Sequence, residues 1–208
     1  MQQNKLAADS LAAVEIEGLT RSSFILKGAI VAGSVYGAAA VGPYVKTALA
    51  QTGGGDVEIL NFALTLEYLE AAFYEKGADV RLNGEVMSVA REIGANEQEH
   101  VEALSSTITD LGGTPAKEPM FRFPVTNQKS FLELAQTLED TGVSAYNGAA
   151  PGIESMEVLS AAGSIVQVEA RHAARIRMIN GVAVAPVAFD KPLDQAAVLK
   201  AVMPLIKA

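Results

Sequence analysis

Glu97-Gln98-Glu99-His100 and, 72 residues further on, Glu169-Ala170-Arg171-His172 both read Glu-x-x-His, and between them they hold the only two histidines of the chain. On a helix, residues i and i+3 share a face within about 6 Å, so each motif offers a carboxylate and an imidazole to one point. A single copy would carry little weight, because Glu is common in helices.

The same 72-residue offset relates Glu67 to Glu139, Tyr74 to Tyr146, Thr65-Leu66 to Thr137-Leu138 and Ser88 to Ser160. The chain therefore contains two helix pairs of one design: a Glu, a Tyr seven residues later, and Glu-x-x-His beginning thirty residues after the first Glu. A pseudo-twofold axis that superposed the pairs would bring Glu67, Glu97, His100, Glu139, Glu169 and His172 together at mid-bundle. Four carboxylates and two imidazoles suit two iron or two manganese ions, with four negative charges balancing two divalent cations. In a helical core without metal, the same carboxylates would meet a large desolvation and repulsion penalty.

The offset also sorts the neighbouring acids. Glu70 falls opposite Gly142, Glu99 opposite Arg171 and Asp140 opposite Tyr68, so these three acids are expected on solvated faces. Tyr74 and Tyr146 lie two helical turns beyond Glu67 and Glu139. There they could donate hydrogen bonds to the ligands, pass electrons during oxidation, or simply fill the core as amphipathic rings. Met87, Met156 and Met178 read as core filler, and Arg171, Arg175 and Arg177 as a solvated flank.

Capping residues bound the helices. Asp56, after Gly53-Gly54-Gly55, is the expected N-cap of a first helix that runs through Tyr74 and stops at Gly77. Asn83 caps a second, from about Glu85 to Leu111, ended by Gly112-Gly113; Asn127 opens a third to about Tyr146; a fourth runs from about Glu154 to Asn180 with Gly181 after it; and a short last helix spans about 195–202. The Pro-containing link 113–126 is long enough, at about 45 Å extended, to run the length of a bundle. An all-α fold follows: an up-down-down-up four-helix bundle with a long crossover between helices two and three and a short C-terminal helix. Residues 51–182 are the bundle, 183–208 a C-terminal extension and 1–50 an appendage.

With no cysteine, disulfides, thiolate metal sites, iron–sulfur clusters and Cys nucleophiles are excluded. A formal charge of −8 without a Lys/Arg cluster interleaved with aromatics speaks against nucleic acid as a partner. Residues 28–45 carry no charged side chain and are flanked by Arg21, Lys27 and Lys46, the layout of an export signal or a short membrane anchor, with a buried helix as a third reading. Ala48-Leu49-Ala50 resembles a small-residue cleavage site and residues 20–27 resemble a twin-arginine export motif, with Ser22 in the place of the second arginine. The expected location is thus the periplasm, envelope or exterior, or the membrane by way of residues 28–45.

The order Glu, Glu-x-x-His, Glu, Glu-x-x-His over roughly residues 56–180 resembles the ferritin-like superfamily. The chain looks closest to bacterial ferritin-like domain proteins with an export signal, and its ligand set is similar to those of bacterioferritin and manganese catalase. The resemblance implies a di-iron protein that oxidises Fe(II) with O2 or hydrogen peroxide, or removes peroxide. Manganese-dependent peroxide dismutation and a non-catalytic, envelope-associated structural or stress role are the alternatives. It is compatible with a homo-oligomer. Unlike rubrerythrins, the chain has no cysteine-rich iron module; unlike cage ferritins it has an export-like segment; and manganese catalases are generally larger.

Overall fold

The structure is a computed structural model that describes residues 55–207. The expected export signal, cleavage site and 28–45 anchor lie outside the described residues. Within them no helix is long and apolar enough to cross a membrane.

Four long helices form the bundle: α1 (Asp56–Lys76), α2 (Gly84–Asp110), α3 (Gln128–Ala149) and α4 (Met156–Ile179), with α5 (Gln195–Val202) packed against one end. At 1.5 Å per residue, the 27 residues of α2 span about 40 Å. α1 packs chiefly on α2 and α3 on α4, as the short links within each pair require. α1 is apolar almost all round, with Leu60, Leu64, Leu66, Leu69 and Phe73 buried, because it lies at the centre of the fold rather than on a face.

The helix ends obey local chemistry with two differences from expectation. The side chains of Asn83, Asn127 and Ser155 accept hydrogen bonds from the backbone amides of Val86, Ser130 and Val158 and cap α2, α3 and α4. Gly112 (φ +79°) and Gly181 (φ +70°) take up the left-handed backbone that follows a helix C-terminus. Asp56, however, is the first residue of α1 rather than its cap; Gly55 (φ +85°) precedes it without a side-chain bond. Its carboxylate instead accepts from the amides of Glu154 (2.7 Å) and Ser155 (2.8 Å), and so ties the start of α1 to the start of α4. Gly77 likewise does not end α1 in a left-handed turn. It begins a short 3-10 turn with φ −54°, and its missing Cβ leaves room for the Phe131 ring, which such an atom would meet at 3.1 Å.

The crossover between α2 and α3 is held from inside. Buried Asn61 donates to Thr114 O (3.2 Å) and accepts from Ala116 N (2.6 Å), so both ends of its amide are satisfied. Further along, the crossover meets the C-terminal tail in an isolated antiparallel bridge, Phe121 with Ile206. Phe73 stacks on Phe131 at 4.7 Å and meets Phe123 edge-on at 5.3 Å, which joins α1, the crossover and α3 in one aromatic cluster.

Two expectations about side chains fail. Met156 and Met178 are exposed (75% and 56%), because they lie on the outer face of α4, and only Met87 is half-buried. Arg171 and Arg175 are solvated as expected, but Arg177 folds back onto Asp140 (2.7 Å) and donates to Val184 O, which draws both partners of that ion pair partly out of solvent.

Candidate metal centre

Each of the six predicted residues comes from the middle of a long helix, and all six meet in one place. Glu67 on α1, Glu97 on α2, Glu139 on α3 and Glu169 on α4 are completely buried, with His100 and His172 nearly so. Two groups of potential ligand atoms form, each within 4.8 Å of one another: Glu67, Glu97, His100 and Glu169 in one, Glu97, Glu139, Glu169 and His172 in the other. Glu97 and Glu169 belong to both. The carboxylates in position to be shared are therefore those of the Glu-x-x-His motifs, whereas Glu67 and Glu139 each belong to one group.

The internal distances are those of ligands around an ion. Nδ1 of His100 lies 3.2, 3.0 and 3.1 Å from oxygens of Glu67, Glu97 and Glu169. Nδ1 of His172 lies 2.8 Å from Glu97 and 3.6 Å from Glu139. Two ligands at right angles, each about 2.1 Å from an ion, stand about 3 Å apart. Hydrogen bonding accounts for only part of this convergence, the bonds of His100 Nδ1 to Glu67 and Glu97. His172 Nδ1, Glu97 Oε1, Glu139 Oε2 and both oxygens of Glu169 are buried without a hydrogen-bond partner, although buried polar atoms are almost always paired. These orphaned atoms, all oxygen or imidazole nitrogen, fit a pair of hard or borderline cations.

Without metal, protons take over the role of cations. Burial disfavours the charged form of His100, yet the carboxylates of Glu169, Glu67 and Glu97 push it up to about 12. Burial works the same way on His172, and Glu139 and Glu97 overcome it to raise that imidazole to about 10. Glu97, between the two rings, is held down to about 2 by His100 and His172 against the upward pull of burial. Burial raises Glu67 to about 7 and Glu139 to about 6, moderated by His100 and His172 respectively. It also raises Glu169, with the Glu67 charge adding to the shift.

A ring of supporting residues surrounds the cluster. The Tyr74 hydroxyl donates to Glu139, and the Tyr146 hydroxyl donates to Glu67, so each tyrosine supports the glutamate of the opposite half. Of the sequence readings for these rings, hydrogen bonding to the glutamates is the one the geometry supplies. Gly94 on α2 makes room for Tyr74: a Cβ there would stand 2.9 Å from Tyr74 Cβ. Asn96 meets the outer nitrogen of His172 at 3.0 Å and leaves Nδ1 facing the carboxylates.

Of the three acids set aside by the repeat, Glu99 is exposed and Asp140 is half-buried with Arg177. Glu70 is the correction: it is 3% exposed, not solvated. It sits one turn beyond Glu67, and burial followed by the charges of Glu169 and Glu139 drives its carboxyl well above the ordinary range. The repeat concealed it, because a symmetric partner was the criterion and Gly142 supplies none. Its i+3 spacing from Glu67 was the signal that could have found it.

The profile of the ferritin-like domain family matches residues 55–181. Among curated proteins, Protein rds1 of Schizosaccharomyces pombe is 24% identical over 151 residues, covering 73% of this chain and 36% of the relative, so the chain spans about a third of that protein's length. A conserved hypothetical protein, rv2844, of Mycobacterium tuberculosis shares the fold with a TM-score of 0.56 at 17% identity, over 70% of this chain and 99% of that one. A structure of ferritin-like, diiron-carboxylate proteins from Bacillus anthracis aligns with a TM-score of 0.51 at 22% identity, over 67% of this chain and 99% of its own. With helices in the order the sequence predicts and a family match over most of its bundle, this chain belongs to the ferritin-like domain family.

Proposed function

We propose that this protein is a di-metal, di-iron carboxylate protein that oxidises Fe(II) with O2 or hydrogen peroxide, or removes peroxide by the same chemistry. The observation that carries this reading is the convergence of two four-residue ligand groups that share Glu97 and Glu169 and leave five buried atoms without hydrogen bonds. A bound iron pair supplies two electrons, enough to cleave the O–O bond of one peroxide to two waters with two protons. Glu67 and His100 would hold one ion, Glu139 and His172 the other, and Glu97 and Glu169 both. The likeness to a structure described as diiron-carboxylate supports iron over other metals.

The surrounding residues are suited to keep that pair in a defined geometry. Tyr74 and Tyr146 hold Glu139 and Glu67 by donating hydrogen bonds that a carboxylate accepts and a carboxylic acid would accept only at one oxygen. Burial of the four glutamates excludes bulk water and strengthens their attraction for cations. Export of the chain, supported by the uncharged run 28–45, would place this chemistry outside the cytoplasm; N-terminal sequencing of protein from its host tests that.

The test is anaerobic loading of metal-free protein with Fe(II), followed by O2 or peroxide. At least two Fe(II) per chain should be taken up and oxidised, with consumption of the oxidant, and the doubly substituted Glu97→Gln, Glu169→Gln protein should do neither. O2 evolution from peroxide by the Mn(II)-loaded protein, with no oxidation of Fe(II), would assign manganese-dependent dismutation instead. Binding of metal without turnover of either oxidant would assign a structural role.

A further inference from the structure

The two halves differ in what lies behind their tyrosines. Tyr146 borders a small cavity between α1, α3 and α4, with Ile59, Ala63, Leu66, Ala145 and Ala162 among its walls. The 72-residue repeat carries Ile59 onto Phe131 and Ala145 onto Phe73. Around Tyr74 those two rings stack at 4.7 Å, and Phe131 meets Tyr74 edge-on at 6.1 Å. Gly77 makes the room for Phe131 there, and its counterpart is Ala149. In the cavity wall Phe62 stands in the place of Leu134 and recovers only part of the missing volume. A space filled by aromatic rings in one half is thus a void in the other, although protein interiors leave few such gaps.

The cavity is chemically selective. It admits the centre of a water-sized molecule over about 10 Å3, enough for one small guest. Among its lining side chains only Tyr146 carries a polar atom, and that hydroxyl is already committed to Glu67. Buried water needs two or more polar partners, so such a space stays dry and accepts apolar guests such as noble gases. Hydrogen peroxide would have to leave its hydroxyl groups unpaired there, whereas O2 has none. A solvent-facing groove of about 370 Å3 shares Ile59 and Ala145 with the cavity and gives it a way in from outside. Its innermost walls are the buried Tyr146 and Leu66, the first bonded to Glu67 and the second beside it in the chain.

We propose that this cavity is a holding position for O2 that serves the Glu67 and His100 side of the centre, so that O2 approaches from the half that lacks the aromatic pair. The proposal deepens the di-metal reading above and rests on it, since O2 held there is of use only beside a centre that reduces it. Hydrogen peroxide does not depend on the cavity. The cleft beside Tyr74, of about 480 Å3, is lined by Arg91, Gln98 and Glu118, polar groups that match its hydroxyls.

Crystals of the metal-free full chain frozen under krypton pressure, paired with oxidation kinetics of the Fe(II)-loaded protein, test this. An anomalous krypton peak is expected in the parent cavity and not in Ala145→Leu, whose longer side chain grows into the space. In that variant the KM for O2 should rise about tenfold with kcat unchanged, the pattern of binding lost before the chemical step, while kcat/KM for hydrogen peroxide stays within about twofold. Ala145→Val, a smaller filler that serves if the leucine variant does not fold, should move the same quantities less far, and circular dichroism checks the helices of both. No krypton in the parent cavity, krypton undisturbed by either substitution, or an unchanged KM for O2 in a variant that excludes krypton would overturn the O2 position and leave the di-metal reading standing. An equal loss with both oxidants would overturn it as well, by showing that the substitution disturbs the centre itself. Krypton in the cavity with no oxidation of Fe(II) by either oxidant would instead overturn the di-metal reading, and the role for O2 with it.

Discussion

The first helix pair, α1 and α2, and the second, α3 and α4, are built on one pattern, and they differ most where they approach each other. Their metal-facing residues are interchangeable: Glu67 answers Glu139, Glu97 and His100 answer Glu169 and His172, and the tyrosines exchange hydrogen bonds across the axis. Their supporting residues are not. Asn96 on α2 holds the outer nitrogen of His172, whereas the equivalent position on α4 is Val168, which offers His100 no hydrogen bond. Glu70 projects inward from α1 where α3 has only Gly142. The lesson is physical: on the di-metal reading two like ions need like surroundings, so the candidate ligands are duplicated, while Glu70 has no counterpart because Gly142 stands opposite it.

Breaking the shared part should have the largest effect. Because Glu97 and Glu169 lie in both ligand groups, Glu97→Gln or Glu169→Gln should weaken both ions, with total metal affinity falling by more than about 100-fold. Glu67→Gln and Glu139→Gln should each remove one ion and leave the other, and metal counting distinguishes these outcomes. Equal loss of both ions from all four variants would mean that the halves do not act as separate ligand groups.

Next in size is the asymmetric support. Groups that orient a metal-bound imidazole typically contribute about 10–100-fold in affinity, so Asn96→Ala should loosen the ion at His172 by that order while hardly affecting the one at His100. Competition with a chelator should then show two steps further apart or reversed in order, and an unchanged profile would remove Asn96 from the account.

The tyrosines should behave alike. Tyr74→Phe and Tyr146→Phe each delete a buried donor to a carboxylate, and each should lower metal-free stability by about 1–3 kcal/mol in denaturant unfolding. A large difference between the two would break the symmetry at the glutamates themselves.

The pH dependence sharpens the comparison between the metal-free and loaded forms. In the metal-free cluster His100 and His172 rise from 6.5 to about 12 and about 10, and Glu67 and Glu139 from 4.5 to about 7 and about 6. Each binds its proton more tightly when folded, so its contribution is complete below its ordinary value and is lost as pH rises through its folded one. Glu97, lowered from 4.5 to about 2, has the opposite sign: its contribution is lost as pH falls through about 2. The metal-free Tm should therefore peak near pH 4.5 and fall across the neutral and alkaline range. Bound metal requires the ligands deprotonated, so the increase in Tm on adding metal should grow over that interval. A metal-free Tm that climbs from about pH 5 to 9 would contradict the assigned charges.

The smallest effect belongs to the tie between the pairs at their ends. Asp56→Ala removes the acceptor for the amides of Glu154 and Ser155 and should lower stability by about 0.5–2 kcal/mol without altering metal uptake.

Much of this was legible in the sequence, because helix caps and ligand spacing are local chemistry. Asn83, Asn127, Gly112 and Gly181 act where their residue types predict, and the six metal-facing residues follow from two motifs and one offset. What was not legible depended on packing between distant segments. Asp56 reads as a cap until the amides of α4 are seen beside it, and Met156 reads as core until its face of α4 is seen to have no neighbour. Glu70 is hidden for a sharper reason: its equivalent in the repeat is Gly142, whose missing side chain leaves room for Glu70 inside and gives it no symmetric partner.

The central claim is that two ions share Glu97 and Glu169, and anomalous X-ray scattering from a crystal of the Fe(II)- or Mn(II)-loaded protein tests it most directly. The account predicts two strong peaks inside the six-residue cluster, one beside Glu67 and His100 and one beside Glu139 and His172, with both shared glutamates between them. A single peak there, or none under saturating metal, would contradict it.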